Sequence, residues 1–131
     1  MPRLVLGELP ELCQHPFQDA PLDLDGEGFY VERRDAIEAR LDALASADLA
    51  AELEGACARH DGLRCRGVAW EGLPAPLLVR AATALGPSVV PILRRLARHP
   101  RRHRRGLPDL FVFTDDGPLL VEVKGPGDQL S

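Results

Sequence analysis

Residues 108–124 read PDLFVFTDDGPLLVEVK, and this stretch decides how the C-terminal part of the chain folds. Two short segments rich in Val, Leu and Phe, residues 110–114 and 119–123, flank the turn-forming residues 115–118. Short apolar runs on both sides of a turn signal predict a β-hairpin. The sequence therefore predicts a pair of antiparallel strands with charged residues at its open end.

The pairing of the two strands determines which side chains share a face. If Thr114 pairs with Leu119 across a four-residue loop, Asp109 lies opposite Lys124 at the open end of the hairpin. Alternation along each strand then places Asp109, Glu122 and Lys124 on one face. Two carboxylates and an amine are therefore expected to converge there.

These side chains have the chemistry of a metal-dependent hydrolytic site. Two carboxylates from neighbouring strands form the hard oxygen site that Mg²⁺ or Mn²⁺ prefers, and the Val123 carbonyl is a further candidate ligand. Lys124 is the only lysine in a chain with fifteen arginines. Its amine can orient or deprotonate a water, or neutralise charge on a phosphate, whereas an arginine stays protonated. We therefore predict that Asp109 and Glu122 bind metal and act with Lys124 in catalysis.

An ordinary explanation of the same residues stays open on spacing alone. Asp109 can simply end a turn, and Glu122 with Lys124 can form a charged strand face, because Glu-x-Lys is a frequent tripeptide and short motifs produce many false matches. The choice between the two interpretations depends on the flanking sequence.

The flanking sequence resembles a known nuclease family. Residues 106–110, GLPDL, and residues 121–131, VEVKGPGDQLS, closely resemble the virus-type replication-repair nuclease (VRR-NUC) domain, a branch of the PD-(D/E)XK nucleases. Within that branch, the chain is most similar to the C-terminal domain of the bacterial Fanconi-associated nucleases. The likeness extends upstream, in the expected order, through residues 20–24 (APLDL), 29–41, 67–71 (GVAWE) and 94–97 (RRLA).

The resemblance implies an α/β fold with a PD-(D/E)XK nuclease core, in which helices pack on a small mixed sheet. It also implies a metal-dependent, structure-selective nuclease that cuts branched or 5′-flap DNA during DNA repair. In such a nuclease Asp109 and Glu122 match the metal-binding carboxylates, and Lys124 matches the catalytic lysine. The family's further metal-binding glutamate has no match in the first twenty residues, and its last helix and strand would follow Ser131. We therefore expect an incomplete C-terminus, and either a fragment of a longer protein with additional domains or a natural short form whose missing parts come from elsewhere.

Two other functions stay open on the sequence. A non-catalytic module would bind branched DNA through arginines without any requirement for Asp109 or Glu122. A junction-resolving nuclease would use the same motif in a symmetric dimer and make paired cuts. The first alternative differs from the nuclease prediction in its class of activity, and the second differs in its assembly.

The charge distribution predicts a DNA-binding segment. Residues 1–93 carry 8 arginines against 15 acids, whereas residues 94–131 carry a net charge of +3. Arginine pairs well with phosphate oxygens, and the basic stretch immediately precedes Asp109, so we predict that it binds the DNA backbone. A solvated basic helix end is the alternative. The predicted DNA-binding residues are Arg94, Arg95, Arg98, Arg101, Arg102, Arg104 and Arg105.

Length and hydrophobic content predict one domain, since 131 residues with 45% hydrophobic content suffice for a single core. Residues 1–93 read as mainly helical, and residues 94–131 as the basic segment and hairpin. Periodicity predicts helices over 32–44, 48–59 and 76–85, and a fourth from Ser88 toward His99, with Ser46 and Ser88 as caps. Residues 99–107 are expected to form a flexible connector.

Other features exclude further classes. We find no apolar run long enough to cross a bilayer and no signal peptide, so we expect no membrane partner and a cytoplasmic, nucleoid-associated location. Cys13, Cys57 and Cys65 show neither a disulfide framework nor zinc spacing. Trp70 is expected to pack in the core, and Glu38 is expected to form a surface salt bridge.

Overall fold

A computed structural model describes residues 20–60, 73–104 and 107–125. Trp70, Cys13, Cys65, Arg105 and the side chain of Arg104 lie outside this description. In chain order, the elements are helices α1 (Gly28–Ser46), α2 (Leu49–His60) and α3 (Ala75–Leu85), a 3₁₀ turn (Gly86–Ser88), helices α4 (Val89–Arg98) and α5 (Pro100–Arg104), and strands β1 (Leu110–Thr114) and β2 (Gly117–Val121).

Helix α1 provides the largest part of the core. Its buried residues Phe29, Ile37, Leu41 and Leu44 recur at helical spacing and so form one apolar stripe. The helix starts before the predicted position at residue 32. Phe29 explains the difference, because its side chain is only 1% exposed and its burial favours an additional helical turn.

Helix α2 begins at a cap that the sequence analysis placed two residues too early. Asp48, rather than Ser46, accepts hydrogen bonds from the backbone N–H groups of Ala50 (3.0 Å) and Ala51 (3.2 Å). An aspartate that directly precedes the first helical residue satisfies amides that have no intrahelical partner. The buried residues of α2 are Leu53 and Ala56, and the helix packs against α3.

The turn between α3 and α4 differs from the predicted cap at Ser88. Ser88 has helical backbone angles and makes no capping hydrogen bond through its side chain. The direction of the chain changes instead at Gly86, whose φ of +53° favours glycine. After the turn, Val89, Val90 and Leu93 of α4 are buried, and α4 packs against α1.

The stretch Ala75–Arg98, which contains α3 and α4, has the length and composition of a possible membrane span. The stretch has 24 residues, and an 18-residue window within it reaches a mean hydropathy of 1.5, so the expectation that no apolar run is long enough to cross a bilayer is wrong by length and composition. A single such stretch is weak evidence for a membrane span, because core helices of water-soluble proteins can have the same length and apolar composition. The 3₁₀ turn Gly86–Ser88 also interrupts the stretch.

The predicted hairpin is present, and it is tighter than expected. Thr114 pairs with Gly117 rather than with Leu119, so β2 begins two residues earlier. The loop consists of Asp115 and Asp116. Gly117, which follows it, has a φ of +122°, a conformation that favours glycine. The next pair is Phe113 with Pro118. In an antiparallel ladder this pair is non-hydrogen-bonded, so the missing N–H of Pro118 costs no hydrogen bond between the strands.

The α/β fold is confirmed, and the hairpin is the small sheet on which a helix packs. Within the described ranges this sheet is antiparallel and two-stranded rather than mixed. Helix α3 contacts β2, and the Arg80 guanidinium of α3 lies 4.1 Å from the centre of the Phe113 ring. Leu110 and Leu119, from the opposite face, remain 50% and 52% exposed. The buried core therefore lies among the helices, and the hairpin is attached at their edge.

Candidate metal and nucleic-acid site

Asp109 lies one residue before β1 and reaches across the open end of the hairpin. Its Oδ2 accepts a hydrogen bond of 2.8 Å from the backbone N–H of Val123, which follows β2 by two residues. Within the described part of the chain, this bond uses only one of the two carboxylate oxygens of Asp109, so Oδ1 is available for a further ligand. The structure thus brings Asp109 and the segment of Glu122, Val123 and Lys124 together, as predicted.

The partners within this site differ from the predicted ones. Because Leu110 pairs with Val121, the next step of the ladder places Asp109 opposite Glu122, and not opposite Lys124. The observed register is shifted by two residues from the predicted one. A shift of two preserves the face on which each side chain lies, since alternation has a period of two. Asp109, Glu122 and Lys124 therefore still belong to one face.

Lys124 is close to one of the two acids. Its Nζ lies 3.7 Å from Oε1 of Glu122, and the two side chains are 44% and 50% exposed. Such an exposed ion pair contributes little to stability, because water screens it. The pair does place the Lys124 ammonium beside the Glu122 carboxylate at the open end of the hairpin.

The donor atoms at this end fit a hard divalent cation. Mg²⁺ commonly binds through one or two carboxylates and keeps several water ligands, and Mn²⁺ accepts the same oxygen donors. Asp109 and Glu122 provide these carboxylates. Among residues 20–60, 73–104 and 107–125 there is no cluster of three or more His, Cys, Asp or Glu side chains suited to a metal. The described site therefore suits a cation that is completed by water and phosphate oxygens.

The arginine-rich segment divides into two groups. Arg94 donates to Glu38 (2.6 Å) and to Asp42 (2.7 Å) of α1, so its guanidinium is engaged within the protein. Arg98 is 3.8 Å from Glu38. Within the described part of the chain, Arg95, Arg101 and Arg102 form no ion pair with a carboxylate. Arg94 therefore connects α4 to α1, and its contact with DNA stays a prediction.

Glu38 has the surface salt bridge that the sequence analysis expected. It also accepts a 2.5 Å hydrogen bond from the Tyr30 hydroxyl. The hydrogen bonds from Tyr30 and then from Arg94 lower the pKa of Glu38 below its ordinary value of 4.5. The pair in turn raises the pKa of Arg94. The sequence signal for Tyr30 was its spacing, since residues 30 and 38 lie about two helical turns apart.

Residues 99–104 are more ordered than the predicted connector. The His103 N–H donates to the His99 carbonyl (3.0 Å), and Pro100–Arg104 forms the short helix α5. The two imidazole rings lie 5.7 Å apart. No role is assigned to these histidines from the sequence, although their spacing of four residues is the helical signal that brings them together.

These features define a helical α/β domain that carries a pair of carboxylates and a lysine at the open end of a hairpin. The VRR-NUC domain model matches residues 45–131, and the chain belongs to this family.

Two relatives of this chain are named as homologs of Fanconi-associated nuclease 1. A Fanconi-associated nuclease 1 homolog from Oryza sativa subsp. japonica is 37% identical over 134 residues, which cover 97% of this chain and 14% of the rice protein. A homolog of the same name from Pseudomonas aeruginosa is 34% identical, with 96% of this chain and 23% of that protein covered. The chain thus spans less than a quarter of the length of these two relatives.

A solved structure supports the fold. The crystal structure of paFAN1 bound to DNA with a one-nucleotide 5′ flap and a gap matches with a TM-score of 0.78 and 32% sequence identity. The match covers 98% of this chain and 24% of the paFAN1 chain. The arrangement of helices and hairpin in the present chain is therefore that of a portion of this DNA-bound nuclease.

Proposed function

We propose that this chain is the catalytic portion of a metal-dependent, structure-selective DNA nuclease that hydrolyses phosphodiester bonds of branched or 5′-flap DNA in DNA repair. The observation that carries the proposal is the hydrogen bond between Asp109 and the Val123 amide, because it brings the acids and Lys124 to one end of the hairpin. Membership of the VRR-NUC family, the names of the relatives and the 5′-flap DNA bound to paFAN1 support it.

The proposed roles follow from the chemistry of each side chain. The free oxygen of Asp109, the Glu122 carboxylate and the Val123 carbonyl would hold Mg²⁺ or Mn²⁺. When bound, such a cation activates a water and stabilises negative charge on phosphate oxygens. Lys124, 3.7 Å from Glu122, would orient the attacking water and neutralise charge on the scissile phosphate. An arginine at this position could not accept a proton.

The arginines of α4 and α5 would hold the DNA beside these groups. Arg95, Arg101 and Arg102 are exposed, and guanidinium groups bind phosphate oxygens without reading the bases. Arg98 can contribute from the same segment, as can Arg104 and Arg105. We further propose that the protein works in the cytoplasm on nucleoid DNA, since its substrate is located there.

A second function has an observation in its favour. Only two carboxylates come together at the open end within the described residues, and both are exposed. Two exposed carboxylates without a third in the described part of the chain are also compatible with a non-catalytic module that binds branched DNA. Such a module would bind DNA with a strong salt dependence and would have no need of Asp109.

A chimaera tests the two proposals. Residues 1–131 would replace the matching portion of the Pseudomonas aeruginosa relative, and cleavage of a labelled 5′-flap DNA would be measured in Mn²⁺ and in Mg²⁺. We expect cleavage that falls on the order of 100-fold with Asp109→Asn, since this change removes a charge at the metal site. The matched control is Asp115→Asn, an exposed aspartate at the opposite end of the same hairpin.

The outcomes separate nuclease from binding module. Cleavage that survives in Asp109→Asn would contradict the proposed active site. DNA binding without cleavage, unchanged by Asp109→Asn, would favour the binding module. Because asparagine can still accept the Val123 N–H, loss of cleavage in this variant cannot be attributed to a lost hydrogen bond at the hairpin end.

A further inference from the structure

A compact group of cationic and titratable side chains lies where α4 meets α5. It consists of Arg95 on α4, His99 between the helices, and Arg102 and His103 on α5. The His99 and His103 rings lie 5.7 Å apart with a tilt of 58°, and the backbone bond between these residues fixes their spacing. Arg95, His99 and Arg102 all act on the His103 imidazole. We call these four residues the Arg–His cluster.

The positive charge of the Arg–His cluster is not balanced within the described part of the chain. The carboxylates Glu38 and Asp42 of α1 are directed to Arg94 and, more weakly for Glu38, to Arg98. Neither Arg95 nor Arg102 forms an ion pair with a described carboxylate. Like charges held this close repel one another, so an anion bound among them would be stabilised.

We infer that the Arg–His cluster is a DNA-phosphate site in which His99 and His103 bind backbone phosphates together with Arg95 and Arg102, and that it takes up a proton when DNA binds. This inference rests on the proposed DNA-binding function. It assigns binding roles to two histidines, whereas the proposed function used only arginines.

The proton uptake follows from the surroundings of His103. Desolvation, and then Arg95, His99 and Arg102, lower the pKa of His103 below its ordinary value of 6.5, so the free protein holds this imidazole mostly neutral at neutral pH. The groups that act on it from α4, from α5 and from the residue between them are all cationic or titrate to cations. A phosphate has the opposite effect on the pKa, because a nearby negative charge stabilises the imidazolium.

The sign of the pH dependence is determined by this difference. DNA binding raises the pKa of His103, so binding is strengthened as the pH falls toward the pKa of the free protein. The gain disappears as the pH rises through the higher pKa of the complex. We expect affinity to increase about threefold to tenfold from pH 8 to pH 6, which corresponds to the partial uptake of one proton.

The test measures DNA affinity against pH at constant ionic strength. The 131-residue chain would bind a fluorescently labelled 5′-flap DNA in Ca²⁺, and anisotropy would be recorded from pH 5.5 to 8.5. We expect His99→Gln/His103→Gln to remove most of the pH dependence. The matched control is His60→Gln on α2, outside the Arg–His cluster, which should retain it. Circular dichroism would check the fold of each variant.

Two further measurements keep the inference testable if the double variant folds poorly. Calorimetric titration of the unchanged chain in two buffers of different ionisation enthalpy should show net proton uptake on DNA binding near pH 6.5. Arg102→Gln should reduce the slope of log affinity against log salt by about 0.9, the value for one lost phosphate contact.

The outcomes also separate this inference from the proposed function. DNA binding with no proton uptake, and with the same pH dependence in His99→Gln/His103→Gln, would overturn the Arg–His cluster while leaving the nuclease proposal intact. Absence of DNA binding by the unchanged chain at every pH would contradict both.

Discussion

Glu38 shows how one side chain can connect two helices. It accepts hydrogen bonds from Tyr30 on α1 and from Arg94 on α4, at 2.5 and 2.6 Å. The Glu38 and Arg94 side chains are 24% and 28% exposed, so water screens this pair less than it screens the pair of Glu122 and Lys124. The sequence predicts a salt bridge for Glu38 but not its partner Arg94, which is 56 residues away.

The first prediction concerns the pH dependence of stability. Glu38→Gln should lower the free energy of unfolding by about 1 kcal/mol at pH 7, because a charge-assisted pair becomes a neutral one. Since the folded-state pKa of Glu38 is lowered, its contribution is complete above the ordinary value of 4.5 and is lost as the pH falls through the folded-state pKa. Urea unfolding of both proteins at pH 7 and below pH 4 measures this.

The control for Glu38 is another glutamate of the helical layer. Glu54 is exposed on α2, so Glu54→Gln should change the free energy of unfolding by less than about 0.5 kcal/mol at both pH values. A difference between Glu38→Gln and the unchanged chain that persisted undiminished at low pH would show that the carboxylate charge is not the cause.

The second prediction separates the two tasks of Asp109. Asp109→Ala removes the acceptor of the Val123 N–H, whereas Asp109→Asn keeps an oxygen there. We expect faster hydrogen exchange of the Val123 amide in Asp109→Ala only, and loss of cleavage by the chimaera in both variants. Equal exchange in the two variants would show that the hairpin end does not depend on this bond.

At the scale of elements, the hairpin was predicted better than its register. The bounds of β1 were predicted correctly, because its apolar run ends at a strong turn signal. The start of β2 was placed two residues late, since Gly117 and Pro118 look like loop residues in the sequence. The positive φ of Gly117 and the tolerated position of Pro118 come from the strand partner, which local sequence does not specify.

The third prediction tests this turn. Gly117→Ala places a side chain where φ is +122°, and among the described residues no atom beyond its two chain neighbours lies within 4 Å of the added Cβ, so the cost is conformational. We expect a loss of about 1 kcal/mol in the free energy of unfolding, measured by urea titration. Asp115→Ala in the same turn serves as the control and should cost less. Equal losses would contradict the conformational explanation.

The helices were predicted well at their centres and less well at their ends. The apolar periodicity of residues 37, 41 and 44 identified α1 correctly, whereas its start depended on the burial of Phe29 in the assembled core. For the candidate site too, local sequence predicted some features and not others. The period of two placed the acids on one face, but the engagement of Arg94 by α1 required the tertiary structure.

At the scale of the whole molecule, the buried core that stabilises the fold and the proposed active site lie in different parts of the structure. Among the described residues, the largest fully buried side chains are Phe29, Ile37, Leu41 and Val89, all in the helices. The hairpin adds none, and it contacts the helices through α3, including Arg80 over Phe113. The proposed metal ligands thus lie on a part of the molecule that buries little apolar surface.

The fourth prediction follows from this division. Leu41→Ala should lower the free energy of unfolding by about 2 to 5 kcal/mol, because it leaves a cavity in a core where Leu41 is 0% exposed. Leu119→Ala, at a position 52% exposed, should cost less than about 1 kcal/mol. Denaturant titration of both variants compares them. Similar losses would show that the hairpin belongs to the same cooperative core as the helices.

The attachment of the hairpin at the edge of the helical core has a consequence for how such a protein can change over generations. Substitutions near Asp109 and Glu122 alter the chemistry while leaving the packing of α1 and α4 untouched, so few of them should abolish folding. Inactive versions would therefore accumulate at normal cellular levels instead of being degraded. Under the proposed function they would compete with the active protein for DNA, and a heterozygous or plasmid-borne copy would then act as a dominant inhibitor.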